Sequence, residues 1–565
     1  MSLSESLGVK RRKNGGWLGR QQRRNRGIVV LVGVIGFFFL VNWWMFFRLQ
    51  HDPSARRKET SVILNSTLPV QGKQNKIAKV RRHRQVMYNR LLALAAHALA
   101  DGEGKPEPHD LWKETLVHTI SWKPCADQRT WEPSEGANGY ILVSANGGIS
   151  QQRVAICNAV AIARFLNSIL VLPKFQYSNV WQDASQFSDI YQEEYFIKYL
   201  QADVKIVKEL PVELQSLDLE AIGSLVTDAD IMKEAKLSFY MKKILPILLK
   251  NKVVHFTGFG NRLAFDPIPL DLQRLRCRCN FHALRFVNKI QETGSLLVQR
   301  MRHHISQWSF LERNLLGPPA AKSNHNAKAI KSSRYLAIHL RFEIDMAAYS
   351  LCYFGGGKEE EEELEAYREV HFPALNTLRK TTKMPSPDVL RSEGQCPLTP
   401  EESVLMLAAL GFKRKTKLYV AGADIYGGKS RMAALKSLYP NLATKESLLS
   451  PSEIEPFSNF SSQLAALDFI VCSAADAFAM TDSGSQLSSL VAGYRIYYGG
   501  GRHPTIRPNK RRLVSIFAKN STIEWKQFEV RVRKTVKQSK MVYERPVARS
   551  IYRHPRCSQC MCSVS

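Results

Sequence analysis

Residues 140–172 read YILVSANGGISQQRVAICNAVAIARFLNSILVL. Tyr140–Ser144 is a short apolar run, and Ala145-Asn146-Gly147-Gly148-Ile149-Ser150 follows it as a loop. Gln151–Leu166 then carries apolar residues at Val154, Ile156, Val160, Ile162 and Phe165, the spacing of a buried helix. Ser168–Leu172 is a second apolar run, stopped by Pro173. Strand, glycine loop, helix and strand in that order form the repeating unit of a parallel sheet.

Working outward, the same alternation recurs. Val253–Thr257 is a further strand. A second series opens with the strand Tyr335–Leu340, and the Glu359–Glu363 run reads as the start of a solvated helix. Thr399-Pro400-Glu401-Glu402 opens a helix through Leu410, with Thr as N-cap, Pro in the first turn and acids at the positive end of the dipole. Leu418–Ala421 reads as a strand, Ser430–Leu438 as a helix, Phe469–Cys472 and Ala477–Thr481 as strands, and Gln486–Val491 as a helix. The fold class is α/β: two Rossmann-like domains facing a cleft, over residues 120–330 and 331–515, with a C-terminal helix and Cys-rich tail over 516–565.

The net charge of +30 lies almost wholly outside that body. Residues 1–26, 48–90 and 501–557 hold excesses of 7, 9 and 13 positive charges, so 91–500 is near neutral. A nucleic-acid binder concentrates its charge on a folded face with interleaved aromatics, and this pattern excludes that class. Much of the charge instead flanks Gly27–Phe47, twenty-one residues without a charge. As a helix this reaches about 30 Å, the thickness of a bilayer core, and Trp43-Trp44 falls near its end, where indoles favour the interface. It has no small-residue cleavage site and exceeds a signal peptide's apolar region. The expectation is a cytosolic tail (1–26), a transmembrane signal-anchor (27–47), and a lumenal stalk (48–119) with one helix from Tyr88 to Ala100. Three sequons, at Asn65, Asn459 and Asn520, lie on the lumenal side as candidate glycosylation sites. Ten cysteines in such a compartment suggest partial disulfide pairing. Cys557-x-x-Cys560-x-Cys562 resembles half a metal site but has no partner motif, so disulfides are the better reading.

Three constellations carry chemistry. In Gly147-Gly148-Ile149-Ser150-Gln151-Gln152-Arg153, glycines between strand and helix admit close backbone approach, and the helix N-terminus favours an anion. Neither G-x-G-x-x-G nor a Walker A lysine is present, which disfavours a dehydrogenase or an NTPase. On spacing alone, a plain turn fits as well. In Ala337-Ile338-His339-Leu340-Arg341-Phe342-Glu343-Ile344-Asp345, an apolar strand delivers His, Arg, Glu and Asp at its C-terminal end, where open α/β sheets bind ligands. The guanidinium fork suits a diphosphate, and a surface ion-pair cluster is the alternative. In Thr481-Asp482-Ser483-Gly484-Ser485, Asp and Ser follow a strand and could seat a nucleoside or phosphate. The basic, Gly-rich segment from Gly499 to Lys510 is either an anion clamp or a solvated loop.

The chain resembles the plant O-fucosyltransferase-like glycosyltransferases, relatives of the protein O-fucosyltransferases. The segments that carry this are GGISQQR (147–153), NVWQDASQFSDIY (179–191), RLRCRCNFHALRF (274–286), AIHLRFEIDMAAYS (337–350), CPLTPEE (396–402), YVAGADIYGG (419–428) and PTIRPNKRRL (504–513). It is most similar to the branch named for friable, poorly adhering tissue. The serine-rich segment TDSGSQLSSLVAGYRIYYGGG (481–501) departs from the Gly-Asn-Met type of many members. The resemblance implies a GT-B architecture, a GDP-fucose donor and no required metal or other cofactor. It implies that His339, Leu340 and Arg341 contact the nucleotide sugar, with Arg341 on the leaving diphosphate. It places Asp482, Ser483 and Ser485 at the nucleoside and phosphates, and Gly147, Gly148, Gln152 and Arg153 along the cleft. Glu343 and Asp345 are candidates for the base that deprotonates the acceptor, or for orienting Arg341. The implied protein is a Golgi, single-pass type II glycosyltransferase acting on a cell-wall glycan or glycoprotein, with a role in wall organisation and cell adhesion. Another donor such as UDP-rhamnose, or a non-catalytic lumenal sugar-nucleotide-binding protein, stays open.

Overall fold

The computed structural model describes residues 87–564 apart from 109, 114–120, 178–182, 232–234, 259–267, 304–307, 318–332, 483, 501–502, 541–543 and 546–549. The expected anchor at 27–47, the sequon Asn65 and Ser483 lie outside the described residues. Among the described residues no helix is long and apolar enough to cross a membrane.

The N-terminal half carries β1 (Ser121–Pro124), β2 (Tyr140–Ala145), β3 (Ile169–Val171), β4 (Lys174–Phe175), β5 (Ile206–Val207), β6 (Leu225–Thr227) and β7 (Val253–Thr257). Apart from β1 they form one parallel sheet in the order β5-β3-β2-β7-β6, with β4 pairing with the end of β2 beyond β3. In the C-terminal half, β8 (Tyr335–His339), β9 (Lys417–Ala421), β10 (Leu442–Ala443), β11 (Ala477–Met480) and β12 (Thr505–Ile506) form a second parallel sheet, β10-β9-β8-β11-β12. Each sheet starts with its central strand, β2 or β8, and successive strands add first to one side and then to the other. The C-terminal end of that central strand is therefore the topological switch point, the crevice where open α/β sheets bind ligands. Two parallel α/β units each present such a crevice, the architecture read from the sequence.

Central strands must be apolar on both faces, and all five residues of β8 are buried. The same pressure explains a misreading. Phe469–Cys472, expected as a strand, is the interior of the helix Ser461–Ala474, which is buried from Ala466 onward. A helix without a polar face loses its 3.6-residue signature and reads as a featureless apolar run. The helix Pro400–Leu410 is also wholly buried, but its capping box identifies it: Thr399 Oγ1 accepts from Glu402 N at 3.2 Å and Glu402 Oε2 from Thr399 N at 2.9 Å.

Two terminal segments belong to the body. The helix Asn89–Asp101, read as part of a stalk, buries Leu91, Ala95 and Leu99 in the core of the C-terminal half beside Val404, Leu438 and Val532. At its start Tyr88 donates to Glu402 Oε1 at 2.8 Å. The helix Trp525–Lys540 packs on the same core. The chain then returns to the N-terminal half, where β13 (Met561–Val564) pairs antiparallel with β1. Disulfides Cys125–Cys562 and Cys277–Cys560 fasten that return, and Cys352–Cys396 closes a segment between β8 and β9. Two cysteines of the terminal cluster are thus disulfide-bonded, and Cys557 is a free thiol.

Candidate active site

A cavity of about 630 Å³ opens at both switch points. From the N-terminal half it takes Gly148–Gln151, and from the C-terminal half the residues following β8, β9, β10 and β11. Strand register brings these together: His339 pairs with Ala421 on one side and Met480 on the other, so Arg341, Gly422 and Asp482 all emerge on one rim. Thr481 fixes the junction, donating to His339 O at 2.8 Å and accepting from Arg341 N at 3.2 Å.

Three longer helices start at this rim. Ile149–Phe165 begins at Gly148, with Gly147 at φ 82°, where a Cβ would press on the Gln151 side chain at 3.1 Å. Gln486–Gly499 begins at Ser485, whose Oγ accepts from Ser488 N at 3.3 Å. Ser461–Ala474 presents Ser461 and Ser462. The positive ends of the Ile149 and Gln486 helix dipoles make this end of the cavity a cradle for an anion, while the Ser461 helix is already capped by a carboxylate.

His339 is buried, with Nδ1 2.7 Å from Ser488 Oγ and 3.3 Å from Ser485 Oγ. Burial pushes its pKa down to about 4, so the imidazole is neutral at pH 7. In the tautomer in which the serine hydroxyls donate to Nδ1, the proton sits on Nε2, which is then a donor. Arg341 forks onto Asp345 (Nη1–Oδ1 3.1 Å, Nη2–Oδ2 2.7 Å) and also pairs with Glu343. Burial opposes its charge, but the two carboxylates more than compensate and hold its pKa above the usual arginine value. The guanidinium is thereby confined to one orientation. Glu343 Oε1 accepts from Ala423 N at 3.4 Å, linking this pair to the loop after β9.

Most expected site residues converge here: Gly148, His339, Arg341, Glu343, Asp345, Asp482 and Ser485 all line the cavity. Asp482 accepts from Lys510 Nζ at 2.7 Å and Gly484 N at 2.6 Å, so the basic segment reaches the rim through Lys510. Gly147 lies one residue before the lining, and three further residues do not reach it with their side chains. Leu340 points into the core with Leu336 and Ile338, because alternation along the strand turns it away from its neighbours. Gln152 is buried and donates to Gly147 O at 3.0 Å, shaping the loop from behind. Arg153 is buried against Asn280 (Nε–Oδ1 2.8 Å), Leu284 O and the rings of Tyr191, Phe286 and Phe469, where it holds two segments of the N-terminal half to the Ser461 helix.

Two charged sets were not foreseen. Lys445, buried after β10, donates to Gly422 O at 2.7 Å, Asp468 Oδ2 at 3.1 Å and Glu446 Oε1 at 3.2 Å. Asp468 also accepts from Tyr419 OH at 2.7 Å and Gly422 N at 3.1 Å. Burial disfavours the Lys445 ammonium, and Asp468 and Glu446 outweigh that, keeping it charged. The second is Asp183, whose Oδ2 accepts from Ser462 N at 2.5 Å and Ser461 Oγ at 3.3 Å. A carboxylate from the N-terminal half thus caps a helix of the C-terminal half at the cavity rim, supported by Gln463 Nε2 on Ser185 Oγ at 3.1 Å. Among the described residues no group of three or more His, Cys, Asp or Glu is placed to hold a metal ion.

The sequence profile of the GDP-fucose protein O-fucosyltransferase family matches residues 140–498. O-fucosyltransferase 15 of Arabidopsis thaliana is 60% identical over 98% of this chain and 88% of its own length. O-fucosyltransferase 2 of the same plant is 58% identical over 96% and 89%. Protein ESMERALDA 1, also from Arabidopsis thaliana, is 39% identical over 80% and 74%. Among solved structures, a crystal structure of POFUT1 in complex with GDP aligns at 14% identity and a TM-score of 0.34, covering 65% of this chain and 97% of that one.

Proposed function

The chain belongs to the GDP-fucose protein O-fucosyltransferase family and is a glycosyltransferase of the O-fucosyltransferase type; from that premise we propose that it transfers fucose from GDP-fucose to a hydroxyl of a wall glycan or glycoprotein. The observation that carries the donor reading is the meeting, in one cavity, of Arg341 with the N-termini of the Ile149 and Gln486 helices. Such an end suits a diphosphate whose charge grows as it leaves.

In the reaction, the acceptor oxygen bonds to the anomeric carbon of fucose, and the bond from that carbon to the β-phosphate oxygen breaks. GDP departs with the electron pair. Arg341 meets the charge developing on the departing oxygen, already oriented by Asp345 and Glu343. Neutral His339 donates a hydrogen bond without adding charge. Glu343 and Asp345, the carboxylates that line the cavity, are both engaged by Arg341 and so act to orient it, and the acceptor's proton passes to one of them as it releases Arg341 or to water.

The same reading puts the protein in the Golgi membrane as a single-pass type II protein with a role in wall organisation and cell adhesion. Its support is the charge-free stretch 27–47 with its basic flank, the exposed sequon at Asn459, and three disulfides of the kind that persist in an oxidising lumen. Thermal melting of the purified protein with GDP, GDP-fucose, UDP and UDP-rhamnose tests the donor. Stabilisation by the guanosine nucleotides alone is expected, and stabilisation by the uridine pair alone overturns GDP-fucose as donor.

A further inference from the structure

Between β8 and β9 the chain inserts the helices Ile344–Tyr349, Gly357–His371, Pro373–Thr381 and Pro387–Ser392. This insert has its own small core, including Phe342, Phe354, Leu364 and Leu390, and Cys352–Cys396 closes it. Buried Arg431 ties it to the body through Glu360 at 3.0 Å and Phe354 O at 2.8 Å. A segment secured so thoroughly nonetheless leaves an aromatic ring in water: Tyr349 is 58% exposed and lines the active-site cavity. Phe372 stands edge-on to it at 5.4 Å on the same wall, backed by Tyr367.

This wall lies one helical turn beyond Asp345, which pairs with Arg341. An exposed ring beside paired carboxylates matches the two surfaces of a sugar. Ring C–H groups lie on the aromatic face, whose π cloud is negative, and hydroxyls donate to carboxylate oxygens. The sign of the charge narrows the class further. In the donor reading Arg341 is taken up by the diphosphate; the other cation on the cavity lining, Lys445, is held by Asp468 and Glu446, and Asp424 adds to the acids. Outside the cavity lining, the helix Gly357–His371 exposes Glu359, Glu361 and Glu362, with Lys358 paired to Glu362 at 3.7 Å. A uronate chain would meet repulsion here, whereas an uncharged sugar would not.

We propose that Tyr349 and Phe372 form the acceptor subsite and that it takes an uncharged sugar unit of a glycan. The proposal rests on the donor reading for its place in the reaction, but the subsite can be tested without the donor. Calorimetric titration of the full chain with cellotetraose, galactotetraose and tetragalacturonate, beside a GDP titration, separates the outcomes. At least one neutral tetrasaccharide is expected to bind more tightly than tetragalacturonate. Tyr349→Ala is expected to weaken that binding at least tenfold and Tyr349→Trp to preserve it within threefold, with the GDP dissociation constant unchanged within twofold. Three results would overturn the proposal: preference for tetragalacturonate, no binding of either neutral sugar, or a fall in GDP affinity as large as the loss of sugar binding. The last would make the wall a platform for the nucleobase. Should GDP fail to bind the wild-type chain, the donor reading falls and the sugar titrations still decide the subsite.

Discussion

Replacing Lys445 by Met removes the ammonium that holds the loop after β9. In the folded protein all three of its protons are used, on Gly422 O, Asp468 and Glu446, and both Lys445 and Asp468 are buried. Met fills much the same space, so the loss is electrostatic: Asp468 keeps Tyr419 OH and Gly422 N but faces the interior as an uncompensated carboxylate. Breaking one side of a buried pair costs about 3–5 kcal/mol. For a body of this size the unfolding entropy is roughly 1 kcal/mol per degree, so melting should fall by about 3–5 °C. Adding Asp468→Asn removes the stranded charge while keeping an acceptor for Tyr419 or Gly422. The double variant should recover about 2 kcal/mol or more over Lys445→Met alone, a coupling that a double-mutant cycle in urea measures directly. Because Gly422 lines the cavity, GDP affinity should drop several-fold in the single variant and partly return in the double. A single variant within about 1 kcal/mol of wild type, or a double variant no more stable than the single, would refute the reasoning.

Acid should destabilise the fold before most carboxylates titrate. His339 and His282 are each pushed down from 6.5 to about 4, chiefly by burial, and His282 is also held by Tyr497 OH at 2.7 Å. Between those values the unfolded chain binds protons that the folded one refuses, so stability is complete above pH 6.5 and declines as pH falls toward 4, by about 1.4 kcal/mol per pH unit for each histidine. Urea midpoints at pH 7, 6 and 5 measure this decline; His282→Gln should flatten it, and equal midpoints at all three pH values would contradict it. Gly493→Ala should destabilise by about 3 kcal/mol or more, since its Cβ would fall 1.8 Å from the backbone oxygen of Tyr552, which has no room to yield. A melting temperature unchanged from wild type would show that the C-terminal return does not pack there as described.

How much of this was legible depends on where each signal resides. The β/α alternation could be read from 140–172 and 335–345 because central strands are apolar throughout and glycines mark their ends. Leu340, though inside the right triplet, turns inward by simple alternation, and Arg153 reads as a cleft residue in the sequence because its neighbours are. The buried helix Ser461–Ala474 hid its period, yet it contained a clue in Asp468, the one charge in that helix, which had to have a partner. Its partner Lys445 lies 23 residues away on a different element, and nothing in the spacing connects them. Asp183 likewise sits inside a quoted motif, but its role exists only once the two halves face each other. The docking of the Asn89–Asp101 helix was visible in principle, since Leu91, Ala95 and Leu99 form an apolar stripe at i, i+4, i+8.

The central claim is that Arg341 stabilises a departing diphosphate in this cavity. Its most direct test is the single-turnover rate of fucose transfer, or of GDP release to water, for Arg341→Ala against wild type, with GDP affinity measured on the same samples. Loss of one donor aimed at developing charge predicts a rate lower by about 10²–10³, with a much smaller change in GDP binding and an unchanged fold. A variant that turns over at the wild-type rate would contradict the account.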